Sequence, residues 1–119
     1  MFKRHTISVG HAVDGLVWAF KTQPNYRIHF FLSGLSLLGG VVLKISYFEF
    51  LIVILLITVG FVIETINTGI EQTTDAIDRK IREDKKIAKD VSAAAMLIYA
   101  IGAFVIACFI FIPKIIVHI

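Results

Sequence analysis

Three long stretches almost without charge limit what this chain can fold into. Residues 28–43 carry no charged side chain, residues 50–70 carry only Glu64, and residues 91–112 carry none. A soluble chain of this size buries only about two thirds of the surface it exposes when unfolded, so such runs must meet lipid or a partner. The whole composition agrees, with 57% of the 119 residues apolar, 18% charged and a mean hydropathy of +0.83. The pattern is that of a polytopic membrane protein.

A lipid-spanning helix needs about 20 mostly apolar residues, or about 17 at the short end. The second and third runs meet that length. The first has only 16 residues, but Arg27 and Lys44 flank it and can snorkel toward the headgroups. The expected spans are about 27–44, 47–71 and 91–112, within one domain over residues 1–119. No cleaved signal peptide is expected, because the first long apolar run begins only at Ile28. The single cysteine, Cys108, lies inside the third run and reads as a small apolar packing group.

The net charge of +3 is distributed to orient the chain rather than to hold nucleic acid. Ten of the twelve cations lie before the first run or between the second and third; only Lys44 and Lys114 lie elsewhere. The positive-inside rule then places the N-terminus and the second loop in the cytoplasm, where the basic residues meet anionic headgroups.

Ahead of the spans, Val9, Ala12, Val13, Leu16, Val17 and Phe20 recur at helical spacing. Over residues 1–23 this predicts an amphipathic leader at the interface, with His11, Asp14, Trp18 and Lys21 on its other side. Pro24 ends it. Residues 44–49 form a short outer turn, so the first two spans are antiparallel neighbours. Residues 75–89 alternate in charge sign and read as a helical extension plus a turn. The small residues 92–95 would allow close helix contact.

The chemistry concentrates at the inner end of the second span. Glu64, Asn67, Glu71 and Asp75 are spaced so that a helix stacks all four along one face. An ionisable group in hydrocarbon costs about 2.5 kcal/mol or more on insertion scales, so it normally faces a bundle interior and marks function. Interhelical bonding alone would explain one such polar residue, but less readily four in register. Carboxylates with an amide suit a hard cation such as Mg²⁺, which keeps waters and bridges to phosphates. Lys80, Arg82, Lys85, Lys86 and Lys89 follow closely and could meet a metal nucleotide, although none of the glycines forms a Walker loop.

The stretch Glu64-Thr65-Ile66-Asn67-Thr68-Gly69-Ile70-Glu71-Gln72-Thr73-Thr74-Asp75, followed by Ala88-Lys89-Asp90, resembles the prokaryotic diacylglycerol kinase family. The resemblance covers nearly the whole chain. Asn25-Tyr26-Arg27-Ile28-His29 and the residues from Glu64 to Thr68 look most like its undecaprenol kinase branch. The resemblance implies an all-α integral membrane fold, a surface helix plus three transmembrane helices, assembled as a homotrimer. It implies transfer of the ATP γ-phosphate to a membrane lipid alcohol, undecaprenol or diacylglycerol, at the cytosolic membrane surface. By position, Glu64 would be the base on the alcohol, Asn67 would position the carboxylates, and Glu71 would hold the Mg²⁺ carried by ATP. Lys89 and Asp90 would contact nucleotide, as would Arg4 and, more variably in the family, His11, Lys80 and Arg82.

One position departs from the family. Gln23 stands where the family often has a glutamate that shares the metal; an amide oxygen can coordinate but brings no charge. Two other readings stay open on the residues alone. A proton-coupled transporter also uses a lone intramembrane glutamate, but leaves Asn67, Glu71 and Asp75 without a role. A non-catalytic oligomeric relative is the other, and Gln23 is its support.

Overall fold

The computed structural model describes residues 2–77 and 83–119, and every regular element among them is an α-helix. In chain order these are α1 (Phe2–Thr22), α2 (Pro24–Val42), α3 (Tyr47–Ile77) and α4 (Glu83–His118).

Each junction has a local cause. Gln23 is extended, with φ −105° and ψ 111°, as a residue before proline must be. Its N–H still bonds to the Ala19 carbonyl at 2.8 Å, closing α1. Pro24 then opens α2 in the first turn, where its missing N–H is not needed. At the far end of α2 the Ile45 N–H reaches back to the Gly40 carbonyl at 3.1 Å and the Lys44 N–H to Val41 at 3.3 Å, a Schellman cap. This cap places Lys44 at φ 56°, a conformation that costs an L-residue about 1–2 kcal/mol. Ser46 and Glu49 start α3 by reciprocal bonding: the Ser46 N–H to the Glu49 carboxylate at 2.9 Å, the Glu49 N–H to Ser46 Oγ at 3.2 Å.

α3 is the centre of the assembly, packing against α4, α2 and α1. The helices lie in a flat arrangement of 55 × 42 × 22 Å. Ile45, Val53 and Ile110 form a small core near the α2–α3 turn, joined by Leu43, Phe50, Ile57 and Phe111. Gly60 lets α4 come close, since a Cβ there would meet the Tyr99 hydroxyl oxygen at 2.7 Å. The Tyr99 hydroxyl in turn donates to the Leu56 carbonyl. Gly60→Val is therefore expected to separate α3 from α4 and lower stability by about 1–3 kcal/mol, the usual cost of overpacking. Equilibrium unfolding in detergent measures it, and an unchanged midpoint would show that Tyr99 swings away freely.

α3 and α4 are each long and apolar enough to cross a membrane, and only 17% and 6% of their most apolar stretches are buried. They are thus not core helices of a soluble fold. Phe104 (70%), Ile98 (73%) and Phe109 (77%) stand open on α4 and require lipid or another chain around them. α2, with 19 residues, falls outside that pair because its opening turns carry Asn25, Arg27 and His29. The small-residue run at the start of the third span turns only Ser92 inward, while Ala93, Ala94 and Ala95 are exposed.

Candidate functional site

The row expected on one face of α3 passes from buried to open. Glu64 and Asn67 are buried at 3% and 7% exposure, Glu71 is half-buried, and Asp75 is exposed. Helical periodicity aligns the four side chains, and two neighbouring helices, α2 and α4, complete their surroundings.

From α2, Asn25 comes close enough to influence the Glu64 carboxylate, and the charge of Glu71 acts on the same group. Tyr26, buried at 3%, bonds its hydroxyl to Thr65 Oγ1, which fixes the start of α2 beside Glu64. From α4, the Ser92 hydroxyl donates to Asn67 Oδ1 at 2.7 Å and lies 2.9 Å from the Lys89 carbonyl, sharing its proton between the two. Lys89 Nζ meets Asp75 Oδ1 at 2.5 Å. Along the row α3 and α4 are thus joined twice, once in its buried part and once at its open end.

The Lys89 bond holds the Asp75 carboxyl below its ordinary value. The contact is therefore complete above the ordinary aspartate range and is lost only as pH falls through the depressed value. Both partners are largely solvated, at 37% and 52% exposure, so salt weakens the pair. Carboxyl-selective NMR is expected to find the Asp75 midpoint below 3.8, returning toward that value in Lys89→Met. Equal midpoints in the two proteins would remove the pair from solution.

The other expected nucleotide contacts are dispersed. Asp90 pairs along its own helix with Lys86 at 2.7 Å, where both side chains are open. Asp90 in turn keeps the Lys86 ammonium protonated to higher pH than usual. Arg4 and His11 are exposed on α1, and no hydrogen bond or ion pair among the described residues joins them to the row. Gln23 is half-buried at the α1–α2 junction, with Nε2 donating to Thr22 Oγ1 at 3.3 Å. Lys80 and Arg82 lie outside the described residues. Sequence reasoning missed Ser92 and did not single out Asn25 or Tyr26 as site residues. Ser92 lies three residues beyond Lys89, one turn on along the same helix face, and that spacing was the signal available.

Among the described residues no three His, Cys, Asp or Glu side chains gather as a metal cage. One half-buried carboxylate, Glu71, fits a nucleotide-borne Mg²⁺, which takes one or two carboxylates and keeps phosphate and water for its remaining positions. Asp75 is more exposed but is engaged by Lys89, and Asn67 Oδ1 already accepts from Ser92.

Beside the row, α1 and α3 enclose an apolar groove of about 810 Å³ that includes Leu16, Trp18, Tyr26, Phe61, Thr68 and Gln72. Trp18, expected on the polar side of the leader, lines this groove instead. A smaller cavity of about 330 Å³ between α2, α3 and α4 takes in His29, Ser33 and Tyr99.

Comparison with known proteins completes these findings. Residues 10–111 match the model of the prokaryotic diacylglycerol kinase family. The chain is similar to an undecaprenol kinase of Bacillus subtilis, 35% identical over 87% of this chain and 85% of that protein. It is also similar to a diacylglycerol kinase of Synechocystis, 30% identical over 90% of this chain and 62% of that protein.

Proposed function

The chain belongs to the prokaryotic diacylglycerol kinase family, and on that premise we propose that it is an ATP-dependent membrane lipid kinase acting on undecaprenol in preference to diacylglycerol. The observation that carries the reading is the buried Glu64, held beside Asn25 and followed one and two turns later by Asn67 and Glu71. The similarity to the B. subtilis undecaprenol kinase favours the polyprenol.

In this reading α2, α3 and α4 cross the bacterial inner membrane, α1 lies on its cytosolic surface, and three copies assemble. Arg27 and Lys44 extend the short α2 by snorkelling. The lipid hydroxyl approaches Glu64 sideways from the bilayer. Glu64 takes the hydroxyl proton as the oxygen attacks the γ-phosphorus; the bond from that phosphorus to the bridging oxygen breaks, and ADP leaves. Mg²⁺ carried by the nucleotide would supply positive charge against the phosphates. Glu71, with Gln23 nearby, would hold it; Asn67 keeps the carboxylates apart, and Lys89 supplies a cation to the phosphates. Asp90, Arg4, His11, Lys80 and Arg82 are proposed as nucleotide contacts on the family's pattern. The transporter and scaffold readings leave Asn67, Glu71 and Lys89 without a task.

Transfer of labelled phosphate from ATP to undecaprenol and, separately, diacylglycerol in lipid micelles tests the reading. Faster turnover of undecaprenol is expected; faster turnover of diacylglycerol reverses the substrate assignment, and transfer to neither by folded protein removes the kinase.

A further inference from the structure

Ser92 on α4 holds one edge of the Asn67 amide and leaves the other open. Both residues are buried, at 8% and 7% exposure. The Ser92 hydroxyl lies 2.7 Å from Asn67 Oδ1 and 2.9 Å from the Lys89 carbonyl, and the shorter distance is the usual one for a hydroxyl donating to oxygen. Asn67 makes no other side-chain hydrogen bond among the described residues. Nearby hydroxyls do not compete for it: those of Thr65, Thr73 and Thr74 turn back to carbonyls of α3, and Thr68 makes no such bond. Among the described residues Thr68 Oγ1 is the one fully buried side-chain nitrogen or oxygen left without a partner. Asn67 Nδ2, which also has none, therefore keeps an open side.

Which edge lies open decides what Asn67 can do. Nδ2 carries two N–H donors, whereas Oδ1 only accepts. Glu64 stands three residues before Asn67 and Glu71 four after it, so both carboxylates are its neighbours along the helix face. They favour an N–H edge between them, and an arriving phosphate, also anionic, favours the same edge. The arrangement holds only while Oδ1 has a donor behind it. Without Ser92 a buried amide oxygen would be left unpaired, and the amide would turn to find another donor or a cation, taking the N–H bonds away.

Resting on the lipid-kinase reading, we propose that Ser92 is a positioning residue: by tying Asn67 Oδ1 back to α4 it presents the two N–H bonds of the amide between Glu64 and Glu71, where they donate to oxygens of the transferred phosphate. Donors fixed before the charge arrives need no reorganisation during transfer. In the empty site the same edge separates the two carboxylates. Ser92 touches no substrate and acts through Asn67.

The chain has two asparagines, Asn25 and Asn67, so full-length protein labelled with ¹⁵N in asparagine side chains shows two amide pairs, told apart in Asn25→Gln. In micelles, Mg²⁺ with a non-hydrolysable ATP analogue is expected to move the Asn67 N–H protons downfield. The shift should be lost in Ser92→Ala and kept in Ser92→Thr, which retains the hydroxyl. In the transfer assay Ser92→Ala should lower kcat about tenfold, as loss of one hydrogen bond to a charged group does, with KM for ATP within about threefold. Asn67→Ala should cost more, and adding Ser92→Ala to it should cost nothing further, since no amide remains to be positioned. Undiminished kcat in Ser92→Ala, additive losses in the double variant, or a folded Ser92→Thr as slow as Ser92→Ala would each overturn the proposal. So would Ser92→Ala moving the amide protons of nucleotide-free protein further than the analogue moves them in the natural one, since the N–H edge would then face Ser92. The analogue shift without phosphate transfer would keep Ser92 in its role and remove the kinase; transfer with the Asn67 pair unmoved would keep the kinase and overturn the proposal.

Discussion

Exchange of Glu64 for glutamine is expected to lower kcat for phosphate transfer about 10²–10⁴-fold, the span general-base catalysis usually covers, while KM for ATP stays within about threefold. The two side chains have nearly the same volume, so the packing around this 3%-exposed site survives. What disappears is the group that can take the hydroxyl proton. The nucleotide side of the site, from Glu71 to Lys89, is untouched, so ground-state binding of ATP should persist. Stability should hold or rise, because a buried carboxylate beside a second one is replaced by a neutral group. The combination of lost turnover with retained or raised unfolding midpoint is the diagnostic result. Undiminished kcat would remove Glu64 as the base, and loss of both turnover and fold would make it a structural residue. Glu64→Ala answers neither question, since its cavity confounds the two.

Much of this site is written in periodicity, and the part that is not has a physical reason. Glu64, Asn67, Glu71 and Asp75 could be aligned from sequence because a single helix relates them and its pitch is known. Pro24 marked the α1–α2 break because it restricts both itself and the residue before it. By contrast, the pairing of Ser92 with Asn67, separated by 25 positions, follows from how α3 and α4 pack, which no local spacing encodes. The same holds for Tyr26 with Thr65. Asp90, adjacent to Lys89 in sequence, points along α4 to Lys86 instead, since consecutive helix residues diverge by about 100°. Helical spacing puts Trp18 opposite the apolar stripe of the leader, yet an indole has a large apolar body that the groove accepts. The free hydroxyl of Thr68 was least legible of all, because it is defined by a bond its neighbours make and it does not.

Restoring a carboxylate at the α1–α2 junction should change the metal requirement in a direction that identifies the ligands. Tyr26 bonds Thr65 and Asn25 reaches Glu64, and α2 joins α3 by a short turn. The antiparallel chains therefore place Gln23 a few residues beyond Thr65 along α3, toward Glu71. Gln23→Glu would add a full negative charge where only an amide dipole now stands, and hard divalent cations gain affinity with ligand charge. The Mg²⁺ concentration giving half-maximal transfer is expected to fall about tenfold, equivalent to about 1.4 kcal/mol and modest beside the Coulomb energy of a close pair. Glu71→Gln should move it the opposite way by a similar or larger factor, with kcat recovering at saturating Mg²⁺. In the double variant the carboxylate is relocated rather than lost, so the requirement should return most of the way to that of the natural protein. The two changes would then be coupled, as ligands to one ion must be. Independent, additive shifts would place Gln23 outside the metal's reach. A Glu71→Gln profile superimposed on the natural one would take the metal from Glu71, leaving the row with a base and no cation beside it.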